Sequence, residues 1–325
     1  MPLPQFDGYS SVPSSTVPSP LATPQIAGRT RASSTPPSPS SPSATGHSST
    51  IQCHGTTKAG KRCNRVVKAP PLVSFFAPAS DEPVERFCFQ HVKEIIGQSG
   101  FYSHKQGSGW IKFADWIPEY LHLDTQAALR VEMEKPSSSK DEPGYIYAYE
   151  IRDDRMPDAV KIKVGRAVKL VKRLDQWSKQ CTSKEVILRG WWPGTVEDDG
   201  DTTGTSLLRG RIKAGEKGPL CHRLERLVHL ELADLAVHAP YLEPGFPEGG
   251  PKADASLAVS PIPGRSPKPS KVRMPLGKPC MDCGAMHKEI FTFQRVRDGK
   301  YKDAEWERLV QPVIAKWGRF VAGFV

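Results

Sequence analysis

Cys53, Cys63, Cys88 and His91 fall within one short stretch of the chain, and three thiols with one imidazole make a complete tetrahedral zinc set. Cys88-x-x-His91 can grip one ion from a single turn, and the loop TTKAGKRCNR between the first two cysteines bends at Gly60. The loop's Lys58, Lys61, Arg62 and Arg65 add positive charge, either as phosphate contacts or as a solvated surface. Four protein ligands leave no open position, so a zinc here is structural. So short a segment has too little core to fold alone, and a metal ion would supply the missing free energy. The alternative is that these are ordinary buried cysteines. A second knuckle, Cys280-Met-Asp-Cys283-Gly with His287 four residues on, offers three ligands for a second zinc. Its fourth has to come from a distance: His229 first, Cys221 next.

Between these knuckles lies a different chemistry. Residues 220–236 read as a helix with Leu224, Leu227, Val228 and Leu235 on its buried stripe. His222, Glu225, His229 and Leu232 form a second stripe. A carboxylate beside imidazoles suits a divalent ion, Mg²⁺ or Mn²⁺, although Glu225 could equally pair with an arginine. Lys161, Lys163, Arg166, Lys169, Lys172 and Arg173 crowd one stretch, as expected of a surface that neutralises phosphates.

The elements that must hold these groups follow from periodicity. Residues 144–151 are rich in aromatic and β-branched types, which predicts a half-buried strand. Val160, Ile162 and Val164 alternate with Lys161 and Lys163, predicting a second strand with one apolar and one cationic face, ended by Gly165. From Val168 the period changes: Leu170, Leu174, Trp177 and Cys181 mark a helix core, with Arg166, Lys169, Arg173 and Gln176 beside it. Residues 185–192 give a third strand, stopped by Pro193-Gly194.

Strand, strand ending in glycine, basic helix, strand, then a helix with a glutamate resembles the GIY-YIG nuclease superfamily. Within it the closer likeness is to the phage-type DNA-binding branch, found in fungi as domains of unassigned function. The resemblance covers roughly residues 143–236. Tyr145-Ile146-Tyr147 stands at the first motif, with Tyr147 as its tyrosine, and Lys163-Val164-Gly165 stands at the second. Arg173 matches the helix arginine and Glu225 the metal-binding glutamate. The resemblance implies an α+β fold with a small β-β-α-β-α core. It also implies a site of Tyr147, Lys163, Arg173 and Glu225, catalytic if the domain is active. The departure is Lys163, which stands where the superfamily has a tyrosine that takes part in proton transfer or water positioning. A lysine could do the same only with a pKa lowered by desolvation.

The chain has 325 residues and a formal net charge of +10, which points to a polyanionic partner, nucleic acid before a membrane surface. No apolar run is long enough to span a bilayer and no signal peptide opens the sequence, so a reducing, intracellular location is expected, nuclear in keeping with DNA. In that compartment seven cysteines point to metal rather than disulfides. Residues 1–49 are a Ser/Pro-rich tail expected to be disordered. Residues 50–95 are the first zinc motif, and 96–142 a helical support with Asp124 as N-cap. The GIY-YIG-like domain spans 143–238 and a basic Pro/Gly-rich linker 239–279. Residues 280–325 hold the second knuckle, a strand over 289–296 and a helix over 304–320. Three functions stay open at this point: binding of duplex DNA through the cationic face, metal-dependent hydrolysis of DNA phosphodiesters, and a zinc-stabilised protein-interaction scaffold.

Overall fold

The computed structural model describes residues 50–68, 84–105, 109–139, 141–180, 185–194, 214–243, 245–247 and 289–325. All belong to the unit His47–Val325; a separate unit, Met1–Gly46, lies outside the described residues. So do the Ser/Pro tail, Cys181, Cys280, Cys283, His287 and nearly all of the basic linker.

The protein is mixed α and β. Two short hairpins come first: β1 (Thr50–Gln52) with β2 (Val66–Lys68), then β3 (Gly100–Tyr102) with β4 (Trp110–Lys112). Helix α1 (Phe89–Ile96) lies between them, and α2 (Leu123–Glu134) follows. The central part runs β5 (Tyr145–Ile151), β6 (Ala159–Ala167), α3 (Leu170–Gln180), β7 (Val186–Trp192), α4 (Cys221–His238). Strand β8 (Ile290–Gln294), a π-helical turn (Trp306–Val310) and α5 (Gln311–Phe324) complete the chain.

Four strands form one antiparallel sheet in the order β7-β5-β6-β8. Opposed residues share a face in such a ladder, so the pairs Tyr145–Ala167, Tyr147–Gly165 and Tyr149–Lys163 line one side. There they pack with Leu170, Leu174 and Trp177 of α3. Ile146, Ala148, Ile162, Val164, Phe291 and Phe293 line the other side, against Leu224, Leu227 and Val228 of α4 and Val313 and Trp317 of α5. Each large apolar side chain buried this way contributes about 1.5–3 kcal/mol.

Several expectations change in detail. The 160–164 strand continues through Gly165 to Ala167. Its lysine face is only partly open to solvent: Lys161 is half-buried, and Lys163, beside Trp177 of α3, is only 3 % exposed. The cap of α2 is His122, whose Nδ1 accepts from the Asp124 amide at 3.4 Å, rather than Asp124 itself. The β3–β4 hairpin has no counterpart in the sequence reading. β8 is not part of a separate C-terminal piece: it pairs with β6 along Lys163–Ile290 to Ala159–Gln294. The terminal helix opens with a π-turn and runs to Phe324.

Helix α4 is buried on nearly every side, polar positions included. Both predicted stripes are inside, so its charges find partners there. Arg226 makes a two-pronged pair with Glu132 of α2, at 2.9 and 3.0 Å. Glu231 accepts from Trp317 Nε1 at 2.7 Å and pairs with Lys316 at 2.5 Å, both on α5.

Candidate metal centre and phosphate-binding face

Cys53 follows β1, Cys63 precedes β2, and Cys88 and His91 sit at the start of α1. Their ligand atoms all lie within 4.8 Å of one another, so these four residues could hold a metal ion. His91 Nδ1 is 3.4 Å from Cys53 Sγ and 3.3 Å from Cys88 Sγ, and Cys63 Sγ is 4.0 Å from Cys88 Sγ. A tetrahedral ion with sulfur ligands would set sulfur atoms about 3.8 Å apart, close to these separations. His91 Nε2 lies 3.1 Å from the Thr56 carbonyl. A proton on Nε2 would bond that oxygen and leave the Nδ1 lone pair facing the sulfurs. Amides of Gly55 and Cys88 donate to Cys53 Sγ at 3.3 and 3.1 Å. Burial raises the Cys88 thiol pKa, but hydrogen bonds from the His91 amide and ring and the Gln90 amide outweigh it and bring the value to about 6. Burial pushes the Cys53 thiol up. A Cβ on Gly55 would stand 2.3 Å from the His91 ring, so only glycine lets the imidazole reach the sulfurs. The apolar cluster here is the three cysteines themselves with Val67 and Phe87 packed against them, too little to hold the fold without a further link.

The second group of predicted residues gathers where β6 outruns β8. Past Ile290 the outer edge of β6 has no strand partner among the described residues, and side chains of α4 bond it there. His229 Nε2 bonds the Val164 carbonyl at 3.0 Å, and the Arg166 amide donates to Glu225 Oε1 at 3.0 Å. Arg166 Nε also donates to Glu225 Oε2, at 2.9 Å. Burial, reinforced by the nearby Glu289 charge, pushes Glu225 up to about 7 against the pull of Arg166 and Lys163. Burial pushes His229 down to about 4. His229 Nε2 is committed to backbone, so only Nδ1 is left for the metal role expected from sequence. Cys221, the next choice, is buried beside Gly144, and burial raises its thiol to about 11.

On the tyrosine face, Tyr147 Oη accepts from Arg173 Nε at 3.2 Å and from Trp177 Nε1 at 3.1 Å. A Cβ at Gly165 would come 2.8 Å from that hydroxyl, so the bare backbone of the cross-strand partner is what admits the ring. Lys163 Nζ lies 2.7 Å from Glu289 Oε2 and 4.7 Å from the centre of the Trp177 ring. Burial alone would raise the Glu289 pKa, but the Lys163 ammonium, with His229 and Arg173 further out, holds it below the usual carboxylate range. Glu289 is the residue that sequence reasoning missed. It precedes a short strand and matches no motif, and only the β6–β8 register brings it to Lys163.

The expected cationic patch therefore divides. Lys161 pairs with Asp153 at 2.6 Å, Lys163 with Glu289 and Arg166 with Glu225. Lys169 and Lys172 are exposed, and Arg173 is half-buried with Nη1 on Gln176 Oε1 at 3.2 Å. Residues 169, 172, 173 and 176 fall on one face of α3. Both Glu225 oxygens accept from Arg166, and the Glu289 carboxylate is on Lys163. A divalent ion on either carboxylate would therefore compete with a cation of the chain, and an octahedral Mg²⁺ demands several oxygen ligands.

Among the described residues no helix is long and apolar enough to cross a membrane. No curated protein and no solved structure matches this chain. The sequence is similar over residues 159–242, the stretch from β6 through α4 that carries Lys163, Arg166, Arg173, Glu225 and His229, to a family described as meiotically up-regulated gene 113.

Proposed function

We propose that this chain is a DNA-binding protein whose central GIY-YIG-like domain engages the phosphate backbone of duplex DNA. The element order β5-β6-α3-β7-α4 is the one the resemblance implies, and Tyr147, Lys163, Gly165 and Arg173 converge on one face of the sheet. The observation that carries the reading is the solvent side of α3, where Lys169, Lys172 and Arg173 share one helical face and Tyr147 Oη braces the Arg173 guanidinium. Such a row neutralises consecutive phosphates and displaces counterions, and it reads no bases. Binding rather than cleavage is favoured because both carboxylates near the site are neutralised by cations of the chain. A zinc at Cys53, Cys63, Cys88 and His91 would hold the N-terminal knuckle together, and action on DNA places the protein in the nucleus.

The test is a titration onto labelled duplex DNA across a salt series, with and without Mn²⁺. The expected result is a mobility shift without cutting, and an affinity that falls linearly on a log–log salt plot. Lys169→Ala with Lys172→Ala should flatten the slope by about 2. An affinity unchanged by that pair and by Arg173→Ala would sink this surface. Cutting that needs Mn²⁺ and disappears in Glu225→Ala would make the protein a nuclease instead.

A further inference from the structure

The Lys163–Glu289 pair contacts no phosphate in the reading above, although it occupies the middle of the same face. Its two members are not equally accessible. The Lys163 side chain is 4 % exposed and that of Glu289 15 %. The ammonium is enclosed by the Glu289 carboxylate and the Trp177 ring, so a group arriving from solvent meets the carboxylate first. Glu289 is also held in place by its backbone. Its φ is 71°, a left-handed conformation uncommon for a residue with a side chain, and its carbonyl accepts from the Val164 amide at 3.1 Å. A Cβ built on Gly165 would lie 2.8 Å from Tyr147 Oη and 3.5 Å from Glu289 Oε2. The carboxylate therefore borders the same bare strip of backbone as the hydroxyl that braces Arg173.

A carboxylate on an ammonium has the charge and the hydrogen-bond geometry of a phosphodiester oxygen on that ammonium. We infer that Glu289 is a built-in phosphate mimic, whose carboxylate holds the place on Lys163 that a backbone phosphate of the nucleic acid takes when the strand binds. The inference rests on α3 and its surroundings being a phosphate-binding face. It makes the site selective for a polyanion. A lone phosphate contacting Lys163 must displace Glu289 unaided, whereas a strand already held by Lys169, Lys172 and Arg173 delivers its phosphate at high effective concentration.

The experiment measures duplex affinity and its salt slope for the full chain and for Glu289→Gln, Lys163→Gln with Glu289→Gln, and Arg173→Ala. Glu289→Gln should bind about fivefold tighter at low salt, with a slope steeper by about 0.9 because Lys163 becomes one more phosphate contact. The double variant removes both members of the pair. It should bind no more tightly than the parent, with the parent's slope, because the phosphate contact that Lys163 gains on exchange is gone. A Glu289→Gln protein with the parent's affinity and slope would overturn the inference, and so would a double variant that binds more tightly than the parent. The double variant decides the matter if Glu289→Gln alone does not fold. An Arg173→Ala protein that binds like the parent would instead overturn the reading of the face itself. No binding by the parent or by either Glu289 variant would remove both.

Discussion

The knuckle at residues 50–96 and the site on the central sheet treat polar side chains in opposite ways. In the knuckle, Cys53, Cys63, Cys88 and His91 point at one another with almost nothing apolar behind them. In the central part, charges are matched by partners on other elements: Arg226 by Glu132, Lys163 by Glu289, Arg166 by Glu225. One region gathers ligand atoms that could hold an ion, and the other pairs charges internally. Mutually facing donors with no core signal a ligand from outside. Mutually cancelling charges inside a core are part of the packing, and they become functional only where one partner can be exchanged.

The largest expected effect separates the two regions. Stripping metal with a chelator should unfold the knuckle, since a structural zinc site is worth about 10–16 kcal/mol of binding energy. Cys53, Cys63 and Cys88 should become reactive to a thiol reagent while the fluorescence of the buried Trp177 and Trp317 holds. Cys53→Ala should lower bound zinc by one equivalent. Tryptophan fluorescence that collapses together with the metal would show that the regions are not separable in this way.

Next comes the pair that ties α4 to α2. Arg226→Met leaves Glu132 buried, with Lys135 at 3.3 Å to answer it in part. Breaking a buried pair from one side costs about 3–5 kcal/mol. Denaturant unfolding should show that loss with zinc content unchanged. Glu132→Leu together with Arg226→Met should recover most of it, and failure to recover would mean the charges do more than cancel.

A smaller effect lies in pH. Glu225 is raised to about 7 by burial, so its contribution to stability is full below its unfolded pKa and is lost as pH rises toward 7. His229, lowered to about 4 by burial, runs the other way. Its contribution is present above its unfolded pKa and is lost as pH falls toward 4. In the native protein the two slopes oppose. Glu225→Gln should therefore show a melting temperature that climbs more steeply than the parent's between about pH 5 and about pH 7. Parallel profiles would mean that Glu225 does not titrate there. The smallest effect belongs to Lys161→Ala at the partly exposed pair with Asp153. A change of at most about 1 kcal/mol is expected, shrinking further in salt.

The same contrast explains what could be read in advance. Cys88-x-x-His91 is local, its residue types are uncommon, and a metal's geometry leaves little choice of partners, so the four-residue centre was legible. Leu170, Leu174 and Trp177 were legible for a similar reason, since a 3.6-residue period states which side is buried. Lys163 was misplaced because alternation assigns a lysine to solvent unless something covers it. The cover, Trp177 with Glu289, comes from a helix and from a distant strand. The partners of Arg226 and Glu231 were invisible for the same reason: no local pattern records that α4 would be enclosed by α2 on one side and α5 on the other.

The placing of β8 next to β6 also has a consequence in time. Lys163 and Glu289 are 126 residues apart in the chain. At translation rates of about 5–20 residues per second, β6 leaves the ribosome roughly ten seconds before the strand that covers its outer edge. An open edge invites pairing with another nascent chain. The α4 side chains that bond the Val164 carbonyl and the Arg166 amide emerge well before β8, so the far end of that edge can be shielded while the rest waits. Glu225 and His229 would then serve the protein first as guards of an unfinished sheet, before β8 arrives to complete it.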